Sequence, residues 1–305
     1  MQPQQHRKMG IVESLAFLPP HSPGYDENKF NTLTVAVPET GKLLPDSLRI
    51  PYLFYLATSG KTPNRDNPPR LRTKTTILYC HGNASDIGNL EWYGRELAMK
   101  CGVNFVAVEY PGYGHAKYLQ LRGERRQTQI TPSEKWTYFA LQAMLDELHV
   151  MWRIEESDVI LMGKSIGSGP AVEFACRDDA KFRGLVLDSA FTSCVRIKLR
   201  LPPGVKWVSD KLLDIYQNIN KLPEVKCKVL VIHGDQDGVV PLVHSEENWD
   251  AIPEVFRWKK MIVPDAMHND IEFLRDSRGG VRFPAEIAPE YSGVIAEFVR
   301  EVSDN

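Results

Sequence analysis

The chain has 305 residues, with 37 Lys plus Arg against 39 Asp plus Glu and a hydrophobic fraction of 43%. This balance leaves no basic field to hold a nucleic-acid backbone, so no nucleic-acid partner is expected, and the length is ample for one α/β unit with a full core. Five cysteines, odd in number and without Cys-x-x-Cys spacing, indicate a reduced, cytoplasmic compartment; no run approaches the ~18 apolar residues of a membrane span, and Met1 to Lys8 is too polar to begin a signal peptide.

Residues 1–29 read as an irregular N-terminal segment and residues 30–303 as one folded domain. Met9-Gly10-Ile-Val-Glu-Ser14 matches the myristoylation pattern for a start at Met9, against the plainer reading of a chance match in a polar leader. Asn31 to Pro38 and Ile50 to Ala57 form a leading antiparallel pair, and the Pro-, Asn- and Arg-rich stretch from Thr58 to Thr73 reads as a solvated hairpin loop. Thr75 to Cys80 is an apolar strand running into His81-Gly82-Asn83-Ala84. Helix Leu90 to Lys100 follows, then strand Val103 to Tyr110, whose end overlaps Glu109-Tyr-Pro-Gly-Tyr-Gly114. Residues 115–132, with Arg122, Arg125 and Arg126, read as a solvated surface loop before helix Ser133 to Met151.

Asp158-Val-Ile-Leu-Met-Gly-Lys-Ser165-Ile-Gly167 then carries a short apolar run straight into a Gly-x-Ser-x-Gly turn, and Gly169 opens a small-residue helix. A bare match of this kind arises in roughly one chain of this length in ten, so the strand before it and the helix after it carry the reading. Their order is that of a nucleophile elbow, where Ser165 sits on a strained strand-to-helix turn and side chains at Gly163 and Gly167 would collide. A phosphate loop is excluded even though Gly163-Lys164-Ser165 mimics its end. Its opening glycine would fall on Asp158, and a hydrophobic strand fills the loop.

Strand Gly184 to Leu187 ends at Asp188, and an insertion over residues 192–225 sits where a lid is commonly placed. Its Arg196-Ile-Lys-Leu-Arg-Leu201 alternates cationic and apolar side chains, with Lys206 and Trp207 beyond. Two readings fit: a half-buried strand with solvated charges, or a lid that meets an anionic membrane surface. Strand Lys228 to Ile232 runs into His233-Gly-Asp235-Gln-Asp237, with Val240-Pro241 beyond. After helix Val243 to Ala251, strand Trp258 to Val263 runs into Pro264-Asp265-Ala-Met-His268-Asn-Asp270, and helix Ala285 to Val302 ends the pattern. Strands alternating with helices predict an α/β fold with a mostly parallel, doubly wound sheet.

Serine is a weak nucleophile unless a base and an orienting acid assist it, and after an elbow the chain order is Ser, Asp or Glu, then His. Ser165, Asp237 and His268 satisfy that order, each just past the end of a strand. Asp237 lies farther into its loop than Asp235, which reads instead as a turn residue bonding local backbone donors; Asp188 is a further alternative. Of the eight histidines only His268 follows the last strand, while His81 and His233 precede glycines at strand ends and read as structural. For the oxyanion, the backbone N–H groups of Ile166 and of Asn83 are the candidates, with Gly82 allowing close approach and Ala84 as the neighbouring alternative. No cofactor and no metal site is read.

Together, His81-Gly-Asn-Ala84, Glu109-Tyr-Pro-Gly-Tyr-Gly114, Gly163-Lys-Ser-Ile-Gly167, His233-Gly-Asp-Gln-Asp237 and His268-Asn-Asp270 resemble the α/β-hydrolase family over roughly residues 30–303. More narrowly they are similar to its branch marked by His-Gly-Asn-Ala and Gly-His-Asn-Asp, which includes the eukaryotic protein depalmitoylases. The resemblance implies a serine hydrolase of α/β-hydrolase fold with nucleophile, acid and base at Ser165, Asp237 and His268. It further implies an acyl ester or thioester substrate, long-chain acyl groups on S-acylated proteins foremost, and a peripheral membrane setting. The alternatives are a serine peptidase or general carboxylesterase on the same fold, or a binding module without chemistry. The chain departs from the branch in Ala266-Met267-His268, where Gly usually precedes the histidine, and in having no N-terminal cysteine cluster.

Overall fold

Alternation of side chains along the strands sorts the apolar residues into two layers, one on each face of a single sheet. The computed structural model describes residues 16–37, 46–121, 127–199, 214–274, 281 and 285–303. Its strands are β1 (Asn31–Val37), β2 (Asp46–Tyr55), β3 (Thr76–Cys80), β4 (Asn104–Val108), β5 (Tyr118–Gln120), β6 (Gln127–Gln129), β7 (Val159–Lys164), β8 (Gly184–Asp188), β9 (Lys228–Gly234) and β10 (Arg257–Val263). They lie in the order β10-β9-β8-β7-β3-β4-β2-β5-β6, with β1 paired to β2. From β4 to β10 the pairing is parallel; β2 is antiparallel to β4, β1 and β5.

The helices are α1 (Glu91–Cys101), α2 (Glu134–Trp152), α3 (Ser168–Ala175), α4 (Cys194–Leu199), α5 (Asn218–Lys221), α6 (Val243–Ala251) and α7 (Pro289–Ser303). Ile77, Tyr79, Ile160, Met162, Val186 and Ile232 face α1 and α7, while Leu78, Cys80, Leu161, Leu187 and Val231 face α2 and α3. In α7, Tyr291, Val294, Ile295, Phe298 and Val302 recur at helical spacing and form its buried stripe. α2 starts where the Ser133 side chain accepts the Trp136 N–H. Covered on both faces, β7 is buried at every residue, as a central parallel strand must be.

Register then decides where the loops emerge. Cys80 pairs with Gly163, Lys164 with Asp188, Asp188 with Ile232, and Val263 with Gly234. The turns after β3, β7, β8, β9 and β10 therefore open along one carboxyl-terminal edge, the place where such sheets carry their sites.

Several segments differ from the reading of the sequence alone. The stretch 58–73 is not a hairpin, because β4 lies between β2 and β3 and the chain must cross over it. Within 115–132, β5 and β6 pair with each other and β5 extends β2, a short ladder without apolar alternation to announce it. Cys194–Leu199 is helical, not a strand, while Arg200, Leu201, Lys206 and Trp207 of the insertion lie outside the described residues. Met9 and Gly10 lie outside them too. In the N-terminal segment, Phe17 is buried in the layer beneath α2 and α3 and Tyr25 in the layer on the opposite face of the sheet.

Leu161 is fully buried in the strand that carries Ser165. Leu161→Ala is expected to lower stability by about 2–5 kcal/mol through lost transfer energy and a residual cavity, read as a reduced urea midpoint at unchanged slope.

Candidate active site

Ser165 is the first residue past β7, and its backbone takes a positive φ of 52°. A side chain normally avoids that region, so the surroundings must hold it there. A Cβ on Gly163 would stand 2.5 Å from the Gly167 carbonyl oxygen, and one on Gly167 would run into the Cys80 carbonyl oxygen. Backbone cannot move aside as a flexible side chain would, which is why both flanking positions are glycine. The turn is closed by the Ser168 hydroxyl, which donates to the Ser165 carbonyl at 2.7 Å, and Asn218 Nδ2 donates to Ser168 in turn. Gly82 is different. A Cβ there would meet its nearest neighbours only at 3.8 Å, so no close approach requires that glycine.

The other two side chains arrive from the turns after β9 and β10. His268 Nε2 lies 3.0 Å from Ser165 Oγ, and its Nδ1 lies 2.7 Å from Asp237 Oδ2. With Nδ1–H donating a hydrogen bond to the carboxylate, Nε2 is left to accept the serine proton. Asp237 Oδ1 accepts the N–H groups of Val239 and Val240 at 2.9 and 2.8 Å. Burial alone would raise this carboxyl, but the bond from His268 and these backbone donors overcome it and hold Asp237 below the usual carboxylate range. His268 is aimed by its own turn: Asp270 Oδ1 accepts the Met267 N–H at 2.7 Å, and the Ala266 carbonyl accepts the Gln236 N–H at 2.9 Å. Met267 is not among the residues of positive φ, so the turn has no need of the glycine usual before this histidine.

The alternative acids are occupied or out of reach. Asp188 Oδ2 accepts the Tyr291 hydroxyl at 2.7 Å from α7. Asp235 is exposed, and the local backbone donors it was expected to bind are taken by Asp237 instead. His81 Nδ1 lies 2.9 Å from the Gly82 carbonyl and His233 Nε2 lies 2.8 Å from that of Val240, both structural contacts at strand ends.

Of the oxyanion candidates, Ile166 lies in the first turn after β7, where helical N–H groups lack intrahelical partners. The Ala84 N–H is spent on the Leu18 carbonyl at 3.0 Å. The Asn83 main-chain N–H bonds no other described residue, while its side chain binds Ala16, Leu18 and Tyr113. These groups border a cleft of about 290 Å³ whose walls include Leu18, Ile166, Phe191, Ile197, Val239 and Val240.

Two contacts had no clear signal in the sequence. Lys164 Nζ donates to Glu272 at 2.6 Å, both nearly buried, tying the elbow to the His268 turn. Burial works against the Lys164 charge, but the Glu272 and Asp188 carboxylates reverse that and raise it above its ordinary value. Arg196 is the second: it is buried and forks onto Glu247 at 2.7 and 2.9 Å, so it does not face a membrane surface. A carboxylate 51 positions away pairs with both terminal nitrogens of its guanidinium.

Residues 72–221 match a family model described as serine aminopeptidase, S33. The α/β-hydrolase domain-containing protein aho-3 of Caenorhabditis elegans is 30% identical over 266 residues, covering 86% of this chain and 74% of that protein. α/β-Hydrolase domain-containing protein 17B of Homo sapiens is 29% identical over 199 residues, covering 65% of this chain and 62% of that protein, less than two thirds of its length. A Pyrococcus furiosus esterase superposes with a TM-score of 0.58 over 93% of this chain and 98% of that one, at 15% identity. A monoacylglycerol lipase of Paleococcus ferrophilus gives 0.53 over 84% and 99%, at 17% identity. At these identities the structural likeness is one of fold.

A fluorophosphonate is expected to label Ser165, with labelling lost in Ser165→Ala; Asp237→Asn should retain the fold yet lower kcat by about 10⁴, whereas Asp188→Asn should not. Labelling of another serine, read by peptide mass spectrometry, would reassign the nucleophile. Acid stability is set nearby. Burial, aided by the Arg196 cation, pushes His244 from 6.5 down to about 4, and burial lowers His233 as well. Between those values the unfolded chain binds protons that the native state does not, so stability falls as pH falls from 6.5 toward 4. The Asp237 contribution is lost only lower still, below 3.8. His244→Gln is expected to flatten the fall of the thermal midpoint across that window, and an unchanged slope would place its cause elsewhere.

Proposed function

Because the chain belongs to the α/β-hydrolase domain-containing family and is a serine hydrolase, we propose that it cleaves long-chain acyl thioesters, with S-palmitoylated proteins as the substrate class. The observation that carries this reading is the hydrogen-bonded row Ser165–His268–Asp237 opening into an apolar cleft. Ser165 Oγ attacks the acyl carbonyl carbon while His268 Nε2 takes its proton, and Asp237 steadies the imidazolium. The N–H groups of Ile166 and Asn83 receive the developing oxyanion. Collapse breaks the carbon–sulfur bond and His268 returns its proton to the departing thiolate. Water, deprotonated by the same imidazole, then attacks the acyl-enzyme, releasing the fatty acid and restoring Ser165.

The acyl chain lies along the cleft walls in this reading. Leu18 and Val239, exposed at 50% and 55%, stand at the mouth of the cleft and support contact with a membrane surface without help from Arg196. The five cysteines are free thiols, which agrees with a reducing, cytoplasmic setting.

Each methylene moved from water into the cleft is worth about 0.8 kcal/mol, or roughly fourfold in kcat/KM. A series of acyl thioesters of one thiol is therefore expected to rise in kcat/KM with chain length until the walls are covered. A profile flat in chain length, or faster turnover of peptide amides than of any thioester, would overturn the substrate assignment.

A further inference from the structure

A short strap of the N-terminal segment, residues 16–18, crosses the site and is fastened to the turn after β3. Asn83 Nδ2 donates to the Ala16 carbonyl at 2.6 Å, and Asn83 Oδ1 accepts the Leu18 N–H at 2.7 Å. One side-chain amide thus pairs with the strap as a neighbouring strand would, donating and accepting. The Ala84 N–H adds a third bond, to the Leu18 carbonyl at 3.0 Å, and the Tyr113 hydroxyl steadies Asn83 Oδ1 at 2.8 Å. Between the pinned residues Phe17 turns inward, buried and edge-on to Tyr216 with ring centres 5.9 Å apart.

Ala16 and Leu18 line the same cleft as Ser165 and Ile166. Leu18 is nonetheless 50% exposed, so apolar surface stands in water at the mouth, where a hydrocarbon chain would cover it. Two of the three bonds that hold this wall run to the side chain of Asn83, whose main-chain N–H is the second of the proposed oxyanion donors. We infer that Leu18 is a specificity-determining residue for acyl chain length, and that Asn83 is a positioning residue whose side chain fixes this wall relative to the oxyanion site; the inference rests on the acyl-hydrolase reading above. Occupancy of the wall by a long chain and placement of the oxyanion donor are then set by one side chain.

The test compares kcat/KM for hexadecanoyl and butanoyl thioesters of the same thiol, with fluorophosphonate labelling of Ser165 followed in parallel. Leu18→Ala should lower the hexadecanoyl-to-butanoyl ratio by about tenfold, mainly through KM, and Leu18→Met should restore it. Leu18 is half exposed, so an unchanged thermal midpoint is expected to accompany that loss. Asn83→Asp keeps the acceptor for Leu18 and Tyr113 but faces the Ala16 carbonyl with an oxygen, and should lower the same ratio together with kcat. A ratio within about twofold of the unsubstituted protein in Leu18→Ala, with labelling of Ser165 intact, overturns the role of the strap and leaves the hydrolase reading standing. A normal ratio in Asn83→Asp overturns the positioning role. Absence of both labelling and turnover in the unsubstituted protein overturns the acyl-hydrolase reading and this inference with it.

Discussion

The close passage of Gly167 over the Cys80 carbonyl is the contact on which the candidate site depends. It joins the end of β3 to the turn after β7 and leaves no room for a side chain. Held in this way, the chain turns so sharply that Ser165 keeps a left-handed backbone and projects its hydroxyl above the sheet edge. Strain of that kind persists only where neighbours over-determine it. Here β7 is buried along its whole length, paired on both sides, and followed three residues later by α3.

Charge distribution around the elbow follows from burial and partners. Asp237, Asp188, Glu272 and Lys164 lie within neighbouring turns, yet each has a separate task. Asp237 combines an imidazole with two backbone donors, a set that favours a permanent carboxylate. Asp188 faces α7 and meets a tyrosine hydroxyl. Glu272 neutralises Lys164 and in doing so ties the nucleophile's turn to the turn carrying His268. An unpaired charge at such depth would cost several kcal/mol, so removing one partner is more damaging than never having had the pair.

The cleft is assembled from segments remote in sequence. Leu18 comes from the N-terminal segment, Ile197 from α4, and Val239 and Val240 from the turn after β9. Its walls are apolar because Arg196, the one cation of α4 with a described side chain, is turned away onto Glu247. Apolar walls thus arise beside a polar, hydrogen-bonded row of side chains, with the Asn83 amide joining the two.

The local part of this protein was legible in its residues. Short continuous apolar runs alternating with helical patterns, the steric demand at Gly163 and Gly167, and the order Ser165, Asp237, His268 each act over a few residues or along the chain, so the sheet, the elbow and the candidate side chains could be named from the residues. Side-chain pairing across long separations could not. Asn83 grips a strap 65 positions back, Lys164 meets a glutamate 108 positions on, and Arg196 meets one 51 positions on. Strand register and helix packing decide such meetings, because they fix which way each side chain points once the layers close. The same closure turned the first residues of an alternating cationic stretch into a helix with Arg196 buried, and part of the irregular N-terminal segment into a wall of the cleft.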